Sequence, residues 1–159
     1  YTVTSIGDFA CLNCSNMTHV ELPNTIRYIG RFAFSNIGAS SIKIPDSCIS
    51  IGAGAFSGCR KLEEVILSNN LVEISDDAFN YCIQLSSISL PNTLTTIGNG
   101  AFSQCENLQS VEMGESVQSI GDSAFQLCKK LKSISLPNSK DIVLVSRVSL
   151  FLMSNNCFN

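Results

Sequence analysis

Eight cysteines, one histidine and thirteen carboxylates are the side chains of this 159-residue chain best suited to chemistry. A structural zinc site needs four Cys or His ligands at short, paired spacings. Cys11-x-x-Cys14 is one such pair, but no second pair and no histidine stands at a matching distance. Cys59, Cys82, Cys105 and Cys128 instead follow one another at a constant, much longer interval. A fixed interval of about 23 residues marks a repeated structural unit. His19 would need a nucleophile and an orienting carboxylate to act as a base. Glu21 and Glu64 are candidates to lie near it. Yet no Gly-x-Ser-x-Gly elbow, P-loop, Gly-x-Gly-x-x-Gly turn or EF-hand loop occurs. These residues predict no enzyme, no metal and no cofactor, and His19 reads as a solvent-facing side chain of the first full strand.

The elements that position these residues follow the same period. Ile6, Ile29, Ile51, Ile74, Ile97 and Ile120 recur at that interval, with a single step one residue shorter between Ile29 and Ile51. Ala-Phe follows each later anchor: Ala33-Phe34, Ala55-Phe56, Ala78-Phe79, Ala101-Phe102 and Ala124-Phe125. Three residues before the anchors stand Val3, Ile26, Cys48, Leu71, Leu94 and Val117. A unit this short buries its apolar side only against its neighbours, so the chain must wind as a solenoid. In this register Cys14 shares the slot of the four evenly spaced cysteines. Cys11 fills the Phe slot, and Cys48 fills the slot of Leu71 and Leu94. Seven of the eight cysteines are therefore expected to point inward as free thiols. Stacked neighbours about 4.8 Å apart exceed the ~3.8 Å mean Cβ separation of a disulfide. Cys157 lies outside the repeats and is the candidate for a free or intermolecular thiol.

Each unit closes on an alternating apolar trio, such as Leu85, Ile88 and Leu90 or Leu108, Val111 and Met113. This Leu-x-x-Leu-x-Leu pattern is the strand signature of a leucine-rich repeat. Six units predict a parallel sheet ~29 Å wide at ~4.8 Å per strand. Pro23-Asn24, Pro45-Asp46, Pro91-Asn92 and Pro137-Asn138 end the strands, because proline lacks a donor and Asn or Asp favours the turn. Gly follows the anchor at Gly7, Gly30, Gly52, Gly98 and Gly121, which suggests a bend that a Cβ would hinder. The stretch Asn99 to Cys105 is expected to form one helical or 3₁₀ turn. The outward strand residues form two ladders, His19, Ser41, Glu64, Ser87, Ser110, Ser133 and Glu21, Lys43, Ile66, Ser89, Glu112, Ser135. They are the candidate ligand-binding residues of the concave face, where solenoids usually bind. Aromatic and Arg anchors are absent from them, so single contacts are expected to be weak and avidity to matter.

The unit Leu90-Pro91-Asn92-Thr93-Leu94-x-x-Ile97-Gly98-x-x-Ala101-Phe102-x-x-Cys105-x-x-Leu108 resembles the BspA-like leucine-rich repeat. The likeness covers residues 3 to about 139. It implies a curved, right-handed α/β-type solenoid, mostly parallel β with short helical turns. It also implies a role at the cell surface or in secretion, as an antigen or adhesin that meets host cells or matrix through protein or glycan ligands. The family motif contains no catalytic residues, so none is carried over. An intracellular scaffold in the cytoplasm is the alternative, supported by reduced thiols.

Composition agrees with a binding module. Charged residues are only 14% of the chain and the net charge is −3. No basic stripe with interleaved aromatics appears, which argues against nucleic acid. No apolar stretch reaches the ~20 residues that span a bilayer, so no membrane insertion is expected. Two sequons, Asn13-Cys14-Ser15 and Asn16-Met17-Thr18, are weak glycosylation candidates; Asn16 is favoured because Cys14 is expected inward. The repeats are assigned to residues 1–139. Residues 140–159 leave the register, and Ile142-Val143-Leu144-Val145 is expected to cover the edge of the last unit as part of an irregular cap.

Overall fold

The computed structural model describes residues 2–135 and the backbone of strand Val143–Leu144. In chain order the strands are β1 (Ser5–Ile6), β2 (Tyr28–Ile29), β3 (Ser41–Lys43), β4 (Ser50–Ile51), β5 (Glu64–Ile66), β6 (Glu73–Ile74), β7 (Ser87–Ser89), β8 (Thr96–Ile97), β9 (Ser110–Glu112), β10 (Ser119–Ile120), β11 (Ser133–Ser135) and β12 (Val143–Leu144). The anchor isoleucines build one continuous parallel sheet in the order β1-β2-β4-β6-β8-β10-β12. Ile6, Ile29, Ile51, Ile74, Ile97 and Ile120 lie directly opposite one another in it. At its far edge Leu144 faces Ile120. The other expectations for the tail, including Cys157 and the turn at Pro137, lie outside the described residues.

The Leu-x-x-Leu-x-Leu strands form the second face, but not as one sheet. β3 pairs with β5, and β7, β9 and β11 pair separately. Met17 to Leu22 forms no strand, so His19 and Glu21 lie on an irregular first segment and not in a full strand. Within each described strand the outer residues are exposed or half-buried and the middle one buried, as period-2 alternation requires.

The segment between the two faces differs from the expected helical turn. No helix forms among the described residues. Alternate N–H groups bond the next coil, while those between them, such as Ser103 N to Gly100 O at 2.9 Å, bond within their own. Gly100, Phe102 and Gln104 donate to the carbonyls of Asp122, Ala124 and Gln126 at 2.9, 2.8 and 2.6 Å. Phe9, Cys11 and Asn13 do the same toward Arg31, Ala33 and Ser35. Alternate groups can face the neighbour only if the chain reverses twice per coil. Two left-handed residues per coil achieve this, among them Asp77 and Tyr81 with φ of 54° and 61°, and Gly100 and Gln104 with φ of 61° each. A one-turn helix would satisfy those donors locally and leave the adjacent coil's carbonyls unpaired.

The core lies between these faces. Phe34, Phe56, Phe79, Phe102 and Phe125 stack in one column with centroids 5.3–5.5 Å apart and ring planes within 9°. Beside them run Cys59, Cys82, Cys105 and Cys128, all buried. Each thiol donates to the carbonyl of the Phe one coil earlier, for example Cys82 Sγ to Phe56 O at 3.3 Å and Cys105 Sγ to Phe79 O at 3.2 Å. The slot therefore suits a side chain that is small, apolar and still a weak donor. The first coil departs from the inward expectation. Val3 is 55% exposed, Cys14 is exposed, and Cys11, Met17, Val20 and Leu22 are only half-buried. Among the described residues this coil has a neighbour on one side only, so its inward slots are half covered.

The glycine after each anchor has a cause other than backbone freedom. A Cβ on Gly98 would stand 2.5 Å from Asp76 N, and one on Gly121 2.5 Å from Asn99 N. At Gly7, which has no earlier coil beside it among the described residues, a Cβ would meet nothing within 4 Å. Ser75 occupies the same slot with a Cβ, and its bond to Ile51 O stretches to 3.3 Å where Gly52 and Gly98 make 2.8 Å. Gly98→Ala is therefore expected to destabilise by about 1–3 kcal/mol, as overpacking does. Chemical denaturation checks this, and an unshifted midpoint would show that the coils part freely.

Candidate functional site

The outward side chains of the Leu-x-x-Leu-x-Leu face follow from the alternation that buries Ile42, Val65, Ile88, Val111 and Ile134. Strand register places Ser41 beside Glu64 and Lys43 beside Ile66. It aligns Ser87, Ser110 and Ser133 in one row, and Ser89, Glu112 and Ser135 in the other. The candidate residues gather into three open grooves. His19, Glu21, Ser41 and Lys43 line one of about 370 Å³, together with Asn24 and Pro45. Ile66 and Ser89 line a second of about 270 Å³, at the break between β5 and β7, with Asn69 and Pro91. Ser110, Glu112, Ser133 and Ser135 line a third of about 530 Å³. Glu64 and Ser87 line none of the three.

The rim residues Asn24 and Asn69 were missed by the strand pattern alone. Their signal lay in the turns that follow the strands, at Pro23-Asn24 and Asn69-Asn70. The polar atoms of these turns are partly spent on the scaffold. Asp46 Oδ1 accepts the Asn69 N–H at 2.9 Å, and Asn92 Oδ1 accepts the Glu115 N–H at 3.2 Å. Ser135 is also shared with the fold, since its hydroxyl lies 3.4 Å from Met113 N and 3.5 Å from Val111 O.

The chemistry available on this face is recognition. His19 Nε2 lies 3.2 Å from Glu21 Oε1, but the two side chains are 80% and 86% exposed. Water surrounds both, so the pair lacks the desolvated setting in which a carboxylate sharpens a base. Ser41 lines the same groove, yet among the described contacts no hydrogen bond joins it to His19. Among the described residues no group of three or more His, Cys, Asp or Glu is placed to hold a metal ion. Among them too, no helix is long and apolar enough to cross a membrane. Ile66, 49% exposed, is the large apolar side chain among the twelve.

Of the two sequon asparagines, Asn13 sits at a left-handed turn position and its Oδ1 accepts a bond from Asn36 Nδ2 at 2.8 Å. Asn16 is exposed in the next turn. Cys14 is exposed too, so the inward position expected of it does not separate the two sequons.

Short coils of one repeating length, two parallel faces and an internal Phe column define a leucine-rich-repeat solenoid. The chain belongs to the BspA type leucine rich repeat family, whose model matches residues 1–85 and 72–156 in six copies. Proteins of this fold and family are typically non-enzymatic. Three solved structures are similar to it. A leucine rich cell surface protein from Faecalibacterium prausnitzii is 38% identical, with a TM-score of 0.71 over 75% of this chain and 32% of that one. A leucine-rich repeat protein from Bacteroides ovatus is 27% identical, with a TM-score of 0.67 over 89% of this chain and 43% of that one. The leucine rich repeat protein of T. pallidum is 36% identical, with a TM-score of 0.67 over 70% of this chain and 53% of that one. This chain thus spans about a third to a half of their lengths. No curated protein matches it.

Proposed function

We propose that the protein is a cell-surface or secreted recognition module that binds protein or glycan ligands on its Ser/Glu-lined strand face, in the manner of an adhesin. One observation carries the reading: the strand residues of this face stand outward in aligned pairs on β3–β5 and aligned rows on β7–β9–β11, over a packed core. A rigid platform loses little conformational entropy when a ligand docks. Hydroxyls and carboxylates in rows offer hydrogen bonds at strand spacing, suited to an extended peptide or a glycan chain more than to an apolar anchor. The likeness to a leucine rich cell surface protein supports placing it outside the cell. Host cells or matrix are the partners this reading implies.

The test is adhesion of the purified protein to immobilised matrix proteins and to a glycan array. Changing Glu21, Glu64 and Glu112 together to Lys reverses the charge of the face without touching the core. A loss of binding of at least about tenfold is expected, since each charge reversal at a shared face costs roughly 0.5–1 kcal/mol or more. Undiminished binding by the triple variant would remove this face from the mechanism.

A further inference from the structure

Asn99-Gly100 is the one Asn-Gly dipeptide of the chain, and it lies in the turn of an interior coil. Each of its residues answers a separate demand of the fold. Gly100 takes a φ of 61°, and a Cβ there would stand 2.4 Å from Asp77 Oδ1. Asn99 bridges aspartates of the two neighbouring coils. Its N–H and its Nδ2 donate to the Asp76 carboxylate at 2.6 and 3.3 Å, and its Oδ1 accepts the Asp122 N–H at 2.7 Å. An amide side chain donates on one side and accepts on the other, which a carboxylate in its place cannot do. Together the two residues form a dipeptide prone to losing its amide, because glycine leaves its own N–H unshielded beside the asparagine Cγ. The fold opposes that reaction. The Gly100 N–H donates to Asp122 O at 2.9 Å, and Asn99 O accepts the Asp77 N–H at 2.8 Å. The attacking nitrogen and the amide it would attack are both tied to adjacent coils, although Asn99 itself is exposed to water.

We propose that Asn99 is a coil-gated modification site, hydrolysed by water to aspartate or isoaspartate when the coil carrying it parts from the next one. Parting frees the Gly100 nitrogen from Asp122 O and the Asn99 amide from the Asp122 N–H. The Gly100 nitrogen then attacks Asn99 Cγ, and Nδ2 leaves as ammonia with the proton that the nitrogen gives up. Water opens the resulting five-membered imide at either carbonyl. Opening at the former side-chain amide bond side or at the backbone side yields isoaspartate or aspartate, so that one water is consumed and one ammonia released in all. Either product keeps the coils apart. A carboxylate at position 99 no longer donates to Asp76 and repels its carboxylate. Isoaspartate also runs the backbone through Cβ, which lengthens the coil and breaks its register with the coils on both sides. The closed junction is therefore protected and the opened one is marked for good, so the site records how often this part of the solenoid opens.

The test compares the folded chain with the same chain in denaturant, both incubated in neutral buffer. Cleavage after glutamate releases residues 74–106, and fragment masses locate any exchange of an amide for an acid among Asn80, Asn92 and Asn99. Enzymatic methylation of isoaspartate separates the two products. Asn99 is expected to react ahead of the other two in denaturant and at least about tenfold more slowly in the folded chain, the factor that about 1.4 kcal/mol of local opening gives. Gly121→Ala tests the gate. A Cβ on Gly121 would stand 2.5 Å from Asn99 N and 2.8 Å from Asn99 Oδ1, which forces the two coils apart at this point while leaving the dipeptide itself unchanged. The variant is expected to speed the reaction of the folded chain and to leave the rate in denaturant as it was. The proposal is overturned if Asn99 keeps its amide in both states, if the folded and denatured chains react at one rate, or if Gly121→Ala leaves the folded rate at the wild-type value.

Discussion

Phe79→Ala is expected to cost about 3–5 kcal/mol of folding stability, the range for truncating a buried aromatic. Phe79 is fully buried and stacks on both sides, 5.3 Å from the Phe56 ring and 5.4 Å from the Phe102 ring. Truncation opens a void that cannot be filled from either side, because both neighbouring coils are pinned by backbone bonds at 2.8 Å from Phe56 N and Phe79 N. It also removes two ring contacts, each worth about 0.5–1.5 kcal/mol beyond burial. Phe9 gives the contrast. It stacks on Phe32 at 5.7 Å but is 52% exposed. Phe9→Ala should therefore cost below about 1 kcal/mol, as substitutions away from the core do. Urea denaturation of the two variants measures the difference, and a comparable small loss for both would contradict the internal column.

Alkaline solution is expected to weaken the protein steeply, through its interior thiols. Burial holds the thiols of Cys82 and Cys105 well above the ordinary value of 9.0 and pushes Cys128 up to about 12. The unfolded chain releases these protons near pH 9, while the folded chain keeps them. Above that pH the unfolded state binds fewer protons than the folded one. The stabilisation is therefore complete below about pH 9 and is lost progressively as pH rises toward about 12. Each thiol contributes a slope of about 1.4 kcal/mol per pH unit. Three together give about 4 kcal/mol per unit, against a total stability of roughly 5–15 kcal/mol for a typical domain. Denaturation midpoints followed from about pH 8 to about pH 10.5 should fall accordingly. In Cys105→Ala the fall should be shallower by that thiol's share, about 1.4 kcal/mol per pH unit. An unchanged slope in that variant would assign the loss to lysines and tyrosines.

The coil period, the Phe column and the thiol row were legible in the sequence because each is a one-dimensional pattern. A side chain at a fixed place in a fixed period meets its own counterpart above and below. The outward rows were legible for the same reason, with Ser87, Ser110 and Ser133 aligned as their spacing requires. What pattern could not supply was anything decided between coils. The turn around Phe102 looked helical from its length, but every second N–H, those of Gly100, Phe102 and Gln104, answers a carbonyl of the following coil, at Asp122, Ala124 and Gln126. Gly98 looked like a bend, but its missing Cβ makes room for Asp76. Cys14 shared a slot with buried thiols, but a slot is only as buried as its neighbours make it. The split of the second face between β5 and β7 left no trace in the repeat, since both flanking units carry the full trio.

That split also bears on how the molecule carries mechanical load. Bonds between coils run along the long axis, so coils act as links in series while the bonds of one junction share force in parallel. At the β5–β7 junction one of the shared strands of bonding is missing, although the anchor sheet and the turn ladder continue across it. A pull along the axis would concentrate strain at that link. The protein should then yield at such a link, here or where the strandless segment 17–22 meets β3, before its better-joined coils come apart.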